Sequence, residues 1–190
     1  MAKRILLMLL GIGLASSLGA LASLSVFTDT ASVGSNTFTT GTVDISTSPA
    51  SALVTFSNMA PGDQVTAPIT VTNAGSLALR YAITSATTEN TLAGQLSLTI
   101  KSGVTTCTNA GFGSSGTGIY GAGVLGNTTA VNAVGDPAQG AQAGDRTLAS
   151  TANEVLCFNV SLPLSTGNSF QNLTTTATFA FVAEQTANNP

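Results

Sequence analysis

Short stretches of alternating apolar and polar residues recur along the chain, and they limit its possible folds more than any other feature. In each stretch one side is apolar and the other is rich in Thr and Ser. Because successive side chains of a strand point to opposite faces, this period of two predicts antiparallel strands with one face in a core and one in water. The stretches cover residues 52–56, 65–71, 77–83, 96–100, 156–164 and 179–181. They predict an all-β protein, an antiparallel β-sandwich of jelly-roll or Ig-like type.

The residues between these stretches favour the same fold. Pro61 and Gly62 suit the two central positions of a type II turn, where proline presets φ and glycine accepts a positive φ. The sequence TNAGSL, residues 72–77, predicts a chain reversal between two strands. Pro68 falls on the polar side of its strand, so we expect it at an edge or a bulge. Charged residues make up 7% of the chain, which is too few for the solvated surface of a helical bundle.

The N-terminus has the organisation of a secretory signal helix. Lys3 and Arg4 precede an apolar run at 5–14. The predicted cleavage site consists of Ala20, Ala22 and Ser23. We therefore predict a signal peptide at 1–22, removed by a signal peptidase, and a secreted chain that meets a membrane only through this leader. Retention as a membrane anchor is the alternative, because a span needs ~20 apolar residues.

Loss of the leader makes the chain more acidic. The formal charge changes from −3 to −5, and Arg80, Lys101 and Arg146 are the cations that remain. So few cations cannot neutralise a run of phosphates, and nucleic acid is therefore excluded as a partner.

Because the chain is predicted to be exported, the oxidation state of its two cysteines can also be predicted. Cys107 and Cys157 form an even pair in an oxidising compartment, which predicts a disulfide. The chain-entropy model gives about 4 kcal/mol for a closed loop of about 50 residues. Two buried free thiols are the alternative.

Catalytic and metal-binding residues are hard to place in this sequence. It holds no histidine, the commonest metal ligand and general base, and its eight carboxylates are scattered. The glycine patterns at 111–121 match a nucleotide-binding fingerprint, but no amphipathic helix follows them. We therefore predict no catalytic residue, no cofactor and no metal. Calcium bound by Asp136 and Asp145 is the alternative to ordinary turn residues.

Residues 109–146 interrupt the strand pattern. They are rich in Gly and Ala, and we interpret them as a long surface insertion in a β-sandwich domain spanning 36–190. A weak hairpin or a short helix is expected near residues 119–125. The sequence gives this insertion no function.

Three phrases of the sequence resemble the TasA/camelysin family of secreted bacterial proteins. The first consists of Phe27, Asp29, Asn36, Phe38, Gly41, Thr42 and Asp44. The second joins a P-G-D turn at 61–63 to V-T-N-x-G-S at 71–76, and the third is the closing FAFVAEQTANNP. The resemblance covers residues 1–84 and the last dozen, and it leaves out the insertion and both cysteines.

The resemblance implies a jelly-roll-like sandwich, export through a dedicated signal peptidase and assembly into filaments of the biofilm matrix. In such filaments the N-terminal strand of one subunit completes the sheet of its neighbour. Part of the family is described as metalloprotease. Because this chain lacks the ordinary zinc ligands, we predict that it is not an enzyme.

The residues themselves favour the same mode of assembly. An open sandwich leaves edge strands whose unpaired N–H and C=O groups can pair with another chain, and few lysines are present here to prevent it. We predict that segment 23–35 is the donor, with Leu24, Val26 and Phe27 as assembly residues. Copies of the chain are the predicted partners, and other matrix proteins are additional candidates.

Other functions are compatible with the same sequence. A monomeric cell-surface adhesion module, whose insertion contacts a ligand, is the first alternative, and a secreted hydrolase is the second. Pairing of segment 23–35 with its own sheet is the alternative to strand donation.

Overall fold

The computed structural model describes residues 37–50 and 58–189. The chain divides after Thr39, and the unit Thr40–Pro190 contains all the described strands. These strands are β1 (Ile45–Ser48), β2 (Gln64–Asn73), β3 (Leu79–Thr87), β4 (Ser97–Ser102), β5 (Thr117–Val124), β6 (Val131–Val134), β7 (Arg146–Leu148), β8 (Asn153–Ser161) and β9 (Ala177–Gln185). A short 3₁₀ turn at Asn168–Phe170 precedes β9. No helix within the described ranges is long and apolar enough to cross a membrane.

The strands form two antiparallel sheets. The first sheet has the order β1-β2-β8-β4-β5. In the second, β3 pairs with β9 along its whole length, and β6 and β7 lie end to end along its other edge. The predicted all-β antiparallel fold is confirmed.

The core lies between the two sheets, and its centre consists of residues that the alternation predicted, joined by Leu125, Ala133, Val134 and Leu148, which it did not predict. Ile69 and Val71 of β2, and Leu156 and Phe158 of β8, face Leu79, Tyr81 and Ile83 of β3 in one buried cluster. Leu98 and Ile100 of β4 complete its centre. The period of two is set by backbone geometry, so it survives in the folded sheets. The stretch predicted at 52–56 lies outside the described residues.

The outer face of β3 differs from the prediction. Arg80 and Ala82 lie on the side that the alternation assigned to water, yet they are only 7% and 2% exposed. The loop 135–145 lies over this face, and the Gly140 N–H donates to Glu184 Oε1 at 3.0 Å. A covering loop therefore makes both faces of β3 buried.

The end of β8 also differs from the prediction. Alternation extended this strand to Leu164, but β8 ends at Ser161 and the Leu164 side chain is 81% exposed. Pro163 and a turn, in which Thr166 N–H donates to Pro163 O at 3.0 Å, end the extended conformation.

The predicted turns are present. Gly62 has φ +95°, and Asp63 N–H donates to Ala60 O at 2.9 Å, as the P-G-D sequence predicts. Pro68 lies on β2 beyond the last residue that pairs with β1, Thr70. Its missing N–H therefore breaks no bond to β1.

The predicted insertion at 109–146 is more ordered than a surface loop. It contains β5, which is an outer strand of the first sheet, and β6, which belongs to the second. β5 covers most of the region where a weak hairpin or a short helix was expected, and its three glycines supply little apolar contrast. β6 has only four residues, too few to show a clear alternation. Its irregular parts are residues 109–116, which belong to the loop 103–116, the connection 125–130 and the loop 135–145.

Candidate functional site

The predicted disulfide between Cys107 and Cys157 is confirmed. The two Cα atoms are 5.6 Å apart, and 50 residues separate the cysteines. Cys157 is a buried residue of β8, so the bond holds loop 103–116 against the first sheet. Lys101 supports the same loop, because its Nζ donates to Phe112 O at 2.8 Å and lies 4.7 Å above the Phe112 ring.

Glu154 lies at the centre of a polar network that joins the two sheets. Its Oε1 accepts the Tyr81 hydroxyl at 2.5 Å, and its two oxygens accept Arg146 Nε at 2.9 and 3.0 Å. Burial, and next the hydrogen bond to Glu154, raise the pKa of Tyr81. The Tyr81 hydroxyl therefore stays protonated as a donor and is unsuited to act as a nucleophile.

Asp136 and Asp145 organise a loop instead of forming a cation site. Asp145 accepts the N–H groups of Asp136 at 3.0 Å and Gln142 at 2.8 Å, and Asp136 accepts Ala138 N–H at 2.9 Å. A Cβ on Gly135, whose φ is +63°, would meet Asp145 Oδ1 at 2.4 Å. These contacts support the interpretation as turn residues over the calcium alternative.

Two other carboxylates, those of Glu89 and Glu184, also accept hydrogen bonds from groups within the protein. Glu89 accepts three successive backbone N–H groups, including Leu92 at 2.9 Å and Ala93 at 3.0 Å. Burial acts to raise the pKa of Glu89, but the hydrogen bonds from Ala93 N–H and its neighbours outweigh burial and lower this pKa. Glu184 accepts Arg80 Nε at 2.6 Å, and this bond is the main cause of its lowered pKa.

The donor set does not fit a catalytic zinc centre. The full sequence has no histidine, and both cysteines are in the disulfide. In the part of the chain that the structure describes, no three Asp, Glu or Cys side chains come together as metal ligands. Protein zinc sites with an open position use three such ligands, commonly including histidine.

A small cavity lies between loop 135–145 and the second sheet. Its volume is about 160 Å³, and its charged walls include Arg80, Asp145 and Glu184. Arg80 and Glu184 pair with each other, and Asp145, like the neighbouring Asp136, accepts backbone N–H groups of the loop, so these side chains are already used to hold the loop.

The outer edge of β9 is open among the described strands. β9 pairs with β3 through nine consecutive residues without a register shift, and its other edge pairs with no described strand. Phe179 and Phe181 point from β9 toward the core but are only half-buried. The Phe179 ring contacts Phe158 edge-on, with 5.0 Å between centroids. The described strands therefore leave the core incompletely covered along β9.

The outer strands of the first sheet are less suited to pair with another chain. β5 has two register irregularities against β4, and bulged edges resist further pairing. β1 has only four residues. Glu184, the one charged residue of β9, is bound to Arg80. Of these three strands, β9 is the longest regular one with an open edge.

A second contact joins the segment before β1 to the turn after β2. Thr42 N–H donates to Ser76 Oγ at 2.9 Å, and Ser76 N–H donates to Thr42 Oγ1 at 3.2 Å. Leu77 N–H donates to Thr42 O at 3.1 Å, and Ala74 N–H donates to Asp44 O at 2.8 Å. We call this four-bond contact the Thr42–Ser76 clamp.

Asn73 shapes the turn that the clamp uses. Its side chain is fully buried, Nδ2 donates to Leu77 O at 2.8 Å and Ala149 O at 3.0 Å, and Oδ1 accepts Gly75 N–H at 2.9 Å. The sequence predicted a turn here but missed this role and the clamp. Asn73, Thr42 and Ser76 lie in two of the three phrases that carry the family resemblance, and this was the one sequence signal that pointed to them.

The remaining predicted site residues lie outside the described residues. They are Ala20, Ala22 and Ser23 of the cleavage site, and Leu24, Val26 and Phe27 of the donor segment. Cleavage and strand donation stay predictions.

Comparison with known proteins gives one family. No curated protein matches the chain. A family model described as camelysin metallo-endopeptidase matches residues 2–102, which is more than half of the chain and ends before the disulfide-bonded loop. The matched part contains both halves of the Thr42–Ser76 clamp. The chain therefore belongs to the camelysin family.

Proposed function

We propose that the protein is a secreted structural subunit of extracellular filaments. In the filament, the N-terminal segment of one copy pairs with β9 of the next. The open edge of β9, with half-buried Phe179 and Phe181 beneath it, is the observation that supports this proposal most strongly.

The donor and acceptor have matching chemistry. An added strand would pair with the N–H and C=O groups of β9 that no described strand uses, and its alternate side chains would cover the exposed sides of Phe179 and Phe181. Residues 23–30 contain Leu24 and Val26 two positions apart, the spacing of Phe179 and Phe181. Affinity would come from main-chain bonds, and selectivity from these apolar pairs.

The proposed contact is head-to-tail and need not close. Donor and acceptor are different surfaces of one chain, so each added copy presents a new open edge and growth can continue as a fibre. Copies of the chain are the proposed partners, with other matrix proteins as additional ones, and the location is extracellular.

We infer that this family member has no peptidase activity, despite the description of the family model. The inference rests on the donor set: no histidine, paired cysteines, and carboxylates occupied by arginines or backbone N–H groups. No cofactor is proposed.

A lysine on the core side of the β9 edge is expected to prevent assembly. In Ala177→Lys, the charge would lie where the donor packs, and burying it unpaired should raise the concentration needed for assembly at least ~10-fold. Sedimentation and negative-stain microscopy of the chain beginning at Ser23 would measure this.

The matched control is Ala180→Lys, at an exposed position on the opposite face of the same strand. It should assemble like the wild type. Equal assembly by both variants would exclude β9 as the acceptor, and a wild-type chain that stays monomeric at high concentration would exclude the filament.

A further inference from the structure

The Thr42–Ser76 clamp is the first described contact of the chain with its folded unit. That unit begins at Thr40, and residues 37–44 are exposed and without regular structure. The clamp lies directly before β1, so its bonds hold the chain at the point where the predicted donor segment would leave the subunit. This position distinguishes the clamp from an ordinary turn contact.

The clamp is held by polar bonds and close backbone approach, not by burial. Thr42 and Val43 are exposed, with Val43 at 38%. A Cβ on Gly75 would meet Thr42 O at 2.4 Å, and one on Gly41 would meet the Leu77 side chain at 2.5 Å. Because the Gly75 clash is with backbone atoms, glycine is needed there, for a contact that buries little apolar surface. We infer that the clamp serves to position the chain.

We propose that the Thr42–Ser76 clamp is a positioning device that fixes the starting point of the donor segment for assembly. This inference rests on the proposed filament function. Thr42 and Ser76 are positioning residues, because they would act on the neighbouring copy only through the segment that they hold.

The clamp limits how far the donor segment can reach, and it lowers the conformational entropy that assembly must remove. Residues 23–39 can span at most roughly 55–60 Å when extended, so a fixed start at Thr40 limits where the donor can bind. If the clamp is lost, residues 40–44 are free in the monomer. Each assembly step must then order these residues, at a cost in conformational entropy, when the donor segment binds the next copy. Ordering one residue costs about 1–2 kcal/mol, so loss of the clamp should weaken assembly at least ~10-fold.

The test compares two double variants of the chain beginning at Ser23. Thr42→Val with Ser76→Ala removes both hydroxyl acceptors at nearly unchanged shape, whereas Thr42→Ser with Ser76→Thr keeps them. We expect the first to lose amide-exchange protection at Thr42 and Ser76, to keep its thermal midpoint, and to need at least ~10-fold more protein for assembly. The hydroxyl-keeping variant should assemble like the wild type.

A second variant covers the case in which the clamp survives loss of the hydroxyls. Gly75→Ala places a Cβ against Thr42 O, so the contact cannot form as it is. Normal assembly by a variant whose Thr42 amide has lost protection would overturn the inference while leaving the filament intact. A wild-type chain that never assembles would overturn both.

Discussion

Replacing Cys107 and Cys157 together by alanine is expected to lower the free energy of unfolding by about 4 kcal/mol. The bond closes a loop across 50 residues, and opening it returns that entropy to the unfolded chain. Urea denaturation followed by circular dichroism would measure the loss. A loss of this size is a large part of the total, because a typical domain is stable by only ~5–15 kcal/mol.

Serine in place of both cysteines is the matched control for the side chain. Cys157 is 1% exposed, so Cys157→Ser would add the cost of burying a hydroxyl, and the serine variant should be less stable than the alanine variant. Wild-type protein treated with a reductant should lose a similar amount to the alanine variant. A loss below ~1 kcal/mol would mean that loop 103–116 is held by other contacts.

Asn73→Ala is expected to cost about 3 kcal/mol of unfolding free energy. The amide group satisfies Leu77 O, Ala149 O and Gly75 N–H at a fully buried position. Each buried backbone group left without a partner costs ~1–3 kcal/mol, partly relieved by relaxation. Thermal and urea unfolding would give the value.

Asn132→Ala supplies the control, since Asn132 is an exposed residue of β6. It should change stability by less than ~0.5 kcal/mol. If the two variants lost equal stability, the turn after β2 would not depend on the buried amide.

The alternation of apolar and polar residues predicted the fold because backbone geometry sets this period of two in every strand. A strand must place Ile69 and Val71 on one face, so the core residues of β2, β3, β4 and β8 could be assigned without knowing their partners. The disulfide was predictable from cysteine count and export.

Contacts between distant segments could not be predicted in the same way. Arg80 looked like a solvent residue because nothing in the local pattern shows that loop 135–145 lies over it. The Thr42–Ser76 clamp joins residues 34 positions apart through two hydroxyls and several backbone groups, and nothing in a sequence rich in Thr and Ser marks these two hydroxyls as partners. β5 could be expected only as a weak hairpin or a short helix because its glycines give little apolar contrast, and the open edge of β9 exists only once β3 has its partners.

Mixing two incomplete subunits tests the central claim most directly. One variant lacks residues 23–30 and keeps an open β9, whereas the other carries Ala177→Lys and keeps its donor segment. Below the assembly threshold of the second, each should be monomeric alone. Mixed, they should form a discrete one-to-one dimer by analytical ultracentrifugation, because a single donor fills a single acceptor and growth then stops. Filaments from the variant lacking 23–30, or no dimer in a mixture when the wild type does form filaments, would contradict strand donation to β9.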